Sequence, residues 1–141
     1  MSHEHEWDDD NYCIACGKKN PIGMKLDFHV EGETLRTNYS FPREFQGYRQ
    51  TVHGGMIALL LDEIMVNLPL RKDKIPAVSY EISVKLKKPL KINEPVTARS
   101  SYAEFDKRKM TVKGEVVRDS DKAVIATGEA KCLRVKSDIK L

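Results

Sequence analysis

The sequence lacks a long apolar run. Its longest, from Met56 to Leu61, falls far short of the about 20 residues that a membrane-spanning helix needs, so no membrane association is expected. It also lacks a basic, apolar leader: the first residues are acidic and polar, which argues against a secretory signal and leads us to expect a cytoplasmic chain. Cysteine is scarce and odd in number, three in 141 residues, which disfavours a disulfide framework and favours free thiols. Charge of one sign is missing as well. The 24 Lys and Arg against 21 Asp and Glu leave a formal charge of +3, too small and too scattered to argue for nucleic acid, and aromatic residues do not interleave with basic clusters. No internal repeat or low-complexity segment is present.

What remains is a globular composition, 40% hydrophobic and 32% charged, in a chain of one-domain length. Residues 1–12 are expected to form a flexible leader ahead of a single domain over 13–141. Apolar residues alternate over 24–30, and Glu31-Gly32-Glu33 turns that run into a second one over 34–39, which reads as a hairpin. A loop over 42–51 holds Gly47. An apolar helix is expected from 54 to 68, stopped by Pro69. Apolar residues lie all round it, as for a helix wrapped by a sheet. Residues 78–86 alternate strictly, with Val78, Tyr80, Ile82, Val84 and Leu86 pointing one way and Ser79, Glu81, Ser83 and Lys85 the other. After Pro89, strands over 96–105, 110–118 and 122–135 are joined by charged turns at Asp106-Lys107-Arg108 and Asp119-Ser120-Asp121. In the last strand Val124, Ala126, Gly128, Ala130 and Cys132 share a face whose small side chains let a helix sit close. One long helix against consecutive antiparallel strands is an α+β arrangement.

His53-Gly54-Gly55, running directly into the apolar stretch from Met56 to Val66, is the most informative feature. Two glycines at a helix start let the backbone approach a ligand, and the unpaired N–H groups and positive dipole end there stabilise an oxyanion. Asp62 and Glu63 sit inside this otherwise apolar helix, where burying an unpaired carboxylate costs on the order of several kcal/mol. Each is therefore either a partnered structural group or a group that does chemistry. Glu63 lies about 100° round the helix from Asp62, so the two cannot do the same job from the same place. With Asn67 four residues on, Glu63 forms a polar stripe, or it takes the catalytic role instead of Asp62. His53 either orients the loop or contacts the substrate, or it is a hydrogen-bonded structural histidine at the helix start. Cys13 and Cys16 have the spacing of half a zinc site, with His3, His5 and His29 as conceivable partners. No second such pair exists, and Gly17 with Asn20-Pro21 supplies the chemistry of a small turn, so no metal is assigned. Cys132 reads as core.

The segments Phe45-Gln46-Gly47-Tyr48, Val52-His53-Gly54-Gly55 and Leu60-Leu61-Asp62-Glu63 together resemble the hotdog-fold acyl-CoA thioesterases of the phenylacetic-acid-pathway type. Cys13-Ile14-Ala15-Cys16-Gly17 with Asn20-Pro21-Ile22-Gly23 is similar to the amino-terminal signature of one branch, and the strands after Val78-Ser79 match the family's sheet. The resemblance implies an antiparallel sheet of five to six strands around one long central helix. It implies hydrolysis of an acyl-CoA or a related pantetheine thioester, with no cofactor. Asp62 falls on the family's catalytic carboxylate, and the amide of Gly54 or Gly55 falls at the oxyanion hole. Ser79 falls where some members carry a hydroxyl that positions the attacking water; the plain alternative is one more polar residue on a strand's outer face. Several members carry an oxyanion-hole Asn or Gln at the position of Gly47, which has no side chain. Gln46 or Gln50, or a backbone amide, would then serve, so Gln46 and Gly47 are placed at the substrate.

The chemistry asked of such a site is modest, because a thiol of pKa about 8.5 departs as a thiolate without a strong general acid. A carbonyl-oxygen donor and a carboxylate that activates water or attacks directly suffice. Yet Asp62 lies eight residues past Gly54, about 12 Å along a helix. One helix cannot present both groups to one carbonyl, so a homodimer, or a dimer of dimers, is expected to set the helix start of one subunit opposite Asp62 of the other, as the resemblance implies. Lys87, Lys88, Arg108 and Arg134 read as solvated faces. Two rivals stand beside the hydrolase: a non-catalytic module that binds an acyl thioester or a partner protein, and a hotdog dehydratase, which would want a His paired with an acid.

Overall fold

Alternation and turn chemistry yield six strands and one long helix in a computed structural model that describes residues 7–136. The strands are β1 (His29–Glu31), β2 (Thr34–Ser40), β3 (Ala77–Leu86), β4 (Pro95–Phe105), β5 (Lys109–Arg118) and β6 (Val124–Arg134); the helix, α1, spans Gly54–Asp73. All pairings are antiparallel, in the order β1-β2-β4-β5-β6-β3. This is the expected α+β hotdog arrangement. Of the anticipated leader, residues 1–6 lie outside the described residues, as do 137–141 at the other end. No described helix is long and apolar enough to cross a membrane.

The sheet curls round α1, whose Leu60, Leu61, Ile64, Met65 and Leu68 are fully buried against Val96, Ala98, Val112, Val116, Ala126 and Ala130. Burial of each such aliphatic side chain contributes about 1.5–3 kcal/mol, which makes this seam the main source of stability. The small residues of β6 permit the approach: a Cβ on Gly128 would stand 3.1 Å from Met65 Cε and 3.6 Å from Leu61 Cδ1. Ser100 of β4 donates to the Ile64 carbonyl at 2.6 Å, and Tyr102 donates to Asp73 at 2.7 Å, which fixes the far end of the helix.

Four expectations are corrected. Pro69 does not stop the helix, which continues one turn to Asp73 and ends on Lys74 in the left-handed conformation. Proline forfeits only its own N–H bond near a helix end, and burial of Leu68 and Pro69 holds the turn in place. The first hairpin strand is only three residues long, because Lys25 has φ +55° and the chain before His29 instead bonds back to the amino-terminal segment through Met24 N–H to Ile14 O and Leu26 N–H to Ala15 O. In β6 a register shift opposite Val116 and Val117 buries Ile125 and leaves Val124 half-exposed.

The fourth correction bears on the site. Strict alternation over 78–86 fails at a bulge between Ser79 and Glu81. Ser79 opposes Cys132 and Ile82 opposes Ala130, both buried, so Ser79, Ile82, Val84 and Leu86 share the helix side of the sheet. Glu81 points outward, where it pairs with Lys131 at 2.9 Å.

Candidate active site

The helix start is shaped by His53. As the N-cap, with extended backbone (φ −62°, ψ 132°), it accepts the Gly55 N–H on Nδ1 at 2.9 Å, and its carbonyl accepts from Met56 at 2.9 Å and Ile57 at 3.3 Å. Three of the first four amides are thereby engaged. The Gly54 N–H has no partner among the described residues, so the orphan donor at the positive end of the dipole belongs to Gly54 rather than Gly55. Gly54 lines a cavity of about 400 Å³ together with Gly47, Tyr48, Thr51, Val52 and His53.

The loop before the helix is pinned by its backbone. His53 N–H bonds Phe45 O at 3.0 Å, Gly47 N–H bonds Thr51 O at 2.8 Å, and Val52 N–H bonds Leu90 O at 2.8 Å. Gly47 packs on His53, whose Cα would lie 3.2 Å from an added Cβ. Gln46 accepts from the Gln50 amide at 3.3 Å, so its side-chain oxygen is turned to its own loop. Gln50 itself is exposed, with φ +62°.

Asp62 lies partly buried in the middle of α1, and the Ser79 hydroxyl donates to its Oδ1 at 2.7 Å. The contact exists because the bulge turns Ser79 inward. Alternation alone hides it; the sequence signal for it is the family resemblance, which places a hydroxyl at Ser79. Cys132, across the ladder from Ser79, is buried, and burial together with the Asp62 charge pushes its thiol up to about 11.

Glu63 faces other neighbours. Asn67 donates to its Oε2 at 3.0 Å, and Cys13 Sγ stands 3.9 Å from Oε1. Burial first, and the Asp62 charge second, raise its carboxyl above the usual range, while the Asn67 bond works the other way. The Cys16 thiol is pushed up by burial and then by Glu63. All three cysteines are free. His29, considered beside the cysteines, is not among the groups that meet there, and His3 and His5 lie outside the described residues. The partner that sequence reasoning missed is Glu63, 50 positions from Cys13.

A family model described as the thioesterase superfamily matches residues 49–125, from the end of the loop through α1, β3, β4 and β5 to the start of β6. No curated protein matches the sequence. Among solved structures, the phenylacetic acid degradation-related protein of Ralstonia eutropha JMP134 is 18% identical with a TM-score of 0.70, over 78% of this chain and 85% of that one. PaaI of E. coli, from the phenylacetic acid degradation operon, is 16% identical with a TM-score of 0.73, over 83% and 84%. A hypothetical thioesterase protein of Streptococcus pneumoniae TIGR4, solved with coenzyme A, is 12% identical with a TM-score of 0.71, over 79% and 87%. At these identities the likeness establishes a shared hotdog fold.

Proposed function

The chain belongs to the thioesterase superfamily, and from that premise we propose that it hydrolyses an acyl-CoA, or a related pantetheine thioester, in sites shared between the two subunits of a homodimer. The observation that carries this reading is the pair of groups on α1: an unengaged Gly54 amide at its start and, eight residues on, Asp62 held by Ser79. The coenzyme A bound to the pneumococcal structure supports a CoA substrate.

In the proposed reaction the thioester carbonyl oxygen accepts the Gly54 N–H of one subunit, where the helix dipole favours the charge that develops. Asp62 of the other subunit takes a proton from water while the water oxygen bonds to the carbonyl carbon. Ser79 fixes one carboxylate oxygen and leaves the second for the water. Collapse of the tetrahedral intermediate breaks the C–S bond and expels the thiolate, which recovers the proton. Direct attack by Asp62, through an anhydride that water then opens, uses the same groups.

Two features support the dimer. Gly54 and Asp62 are about 12 Å apart along one helix, too far to meet one carbonyl. On β3, at the sheet edge, Tyr80, Ile82 and Leu86 are 56%, 43% and 56% exposed, although Ile82 and Leu86 lie on the face that the rest of the sheet buries. An unpaired apolar edge is a liability that a second copy removes.

Release of free thiol from a panel of aryl- and alkyl-CoAs, measured for the wild type against Asp62→Asn with protein thiols subtracted, tests the reading. Turnover that depends on Asp62 is expected. Saturable binding without thiol release would assign a non-catalytic acyl-thioester-binding module instead.

A further inference from the structure

The sulfur atoms of Cys13 and Cys16 and a carboxylate oxygen of Glu63 all lie within 4.8 Å of one another. They stand at a cavity of about 320 Å³ whose wall also carries Asn67 and Arg71. We propose that these three side chains bind a thiophilic divalent cation of the zinc class, which fastens the amino-terminal turn to the middle of α1, one residue from Asp62.

The turn is built to present both sulfurs. Cys13 Sγ accepts the backbone N–H groups of Ala15 at 3.4 Å and Cys16 at 3.5 Å, which holds that sulfur on the inside of the turn. Gly17 closes the turn through its N–H to Cys13 O at 2.9 Å. A Cβ there would lie 2.3 Å from Cys13 N, so only glycine lets the chain fold back this tightly.

The third donor is positioned from behind. Asn67 binds Glu63 Oε2, and Arg71 Nε donates to Asn67 Oδ1 at 3.3 Å, so Oε1 is directed at the cysteines by a second layer of hydrogen bonds. Tetrahedral zinc, with bonds of about 2.3 Å to sulfur and about 2.0–2.2 Å to oxygen, sets its donors about 3.5–3.8 Å apart. The 3.9 Å between Cys13 Sγ and Glu63 Oε1 is close to that spacing, and no pair needs to close by more than about 1 Å. Two thiolates and one carboxylate select zinc over the oxygen-seeking magnesium and calcium. Binding releases the thiol protons to solvent and leaves a fourth position facing the cavity.

The test needs no substrate. The full chain is purified under reductant, stripped with a chelator and titrated with cobalt(II). The expected result is one equivalent bound, with thiolate-to-cobalt charge transfer in the near ultraviolet and tetrahedral ligand-field bands in the visible, both displaced by one equivalent of zinc. Cys16→Ser should roughly halve the charge-transfer intensity, and Glu63→Gln should keep it. Each should weaken binding by more than the about 10-fold that loss of an outer-shell partner costs. Absence of charge transfer on the reduced wild-type chain would overturn the proposal, as would bands that persist unchanged in the Cys13→Ser, Cys16→Ser double variant. Recovery of the two cysteines as a disulfide, with no cobalt bound after reduction, would make them a redox pair and overturn it equally.

Discussion

Ser79 on β3 donates a 2.7 Å hydrogen bond to Asp62 in the middle of α1, and it reaches that carboxylate only because the strand bulges immediately after it. The bulge leaves Ile82, Val84 and Leu86 on the helix side and brings a hydroxyl to the same side, above Asp62, which has no other side-chain hydrogen-bond partner among the described residues. A local irregularity of the sheet thus supplies the polar half of an otherwise apolar contact.

Asp62→Asn keeps the size of the side chain and the Ser79 contact but removes the base or nucleophile. Its kcat for thioester hydrolysis should fall by at least about 10²-fold, with the circular dichroism spectrum and oligomer mass unchanged. Near-wild-type turnover would move the role elsewhere.

Ser79→Ala deletes one hydrogen bond to a charged oxygen, worth about 1.5–3 kcal/mol. We expect kcat to drop by about 10-fold or more while KM changes little, and Ser79→Thr to restore most of the loss. A variant as active as wild type would reduce Ser79 to packing.

Gly54→Pro removes the orphan N–H and almost nothing else. Proline is favoured at the first helical position, and His53 already has the extended backbone that a following proline demands. An added Cβ meets only the Leu86 Cδ1 methyl, at 2.7 Å, on an exposed and movable side chain. The melting temperature should hold within a few degrees while kcat falls by about 10²–10³-fold, as for loss of an oxyanion donor. Full activity would show that the carbonyl oxygen is bound elsewhere.

Gly114→Ala on β5 tests the packing of the sheet on the helix. Its Cβ would fall 2.9 Å from Met65 Cγ and 3.4 Å from the Arg99 carbonyl, so the buried Met65 side chain, or the strand or helix that flanks it, must shift. Chemical denaturation should show a loss of about 1–3 kcal/mol; an unchanged midpoint would mean that the seam is looser than the structure indicates.

The helix, the strand count and the small-residue face of β6 were legible because they rest on periodicity, which burial against one helix enforces. The glycine pair and Asp62 were legible as types of residue in an unusual setting. The choice between Gly54 and Gly55 was not, since it depends on which amide the His53 ring accepts. Ser79 was legible only through the family resemblance, because a bulge cannot be read from alternation, and the meeting of Glu63 with Cys13 and Cys16, which joins residues far apart in sequence, was not legible at all. Pro69 misled for a simpler reason: a helix stabilised by tertiary burial tolerates one missing hydrogen bond near its end.

The central claim, a site built from Gly54 of one subunit and Asp62 of the other, is tested most directly by mixing two inactive parents. Asp62→Asn and Gly54→Pro chains, unfolded together and refolded at equal ratio, should form heterodimers in which one site holds both native groups and the other holds neither. With random two-fold pairing, about one quarter of the wild-type activity per chain should reappear. Heterodimers verified by mass that stay as inactive as both parents would contradict the shared site.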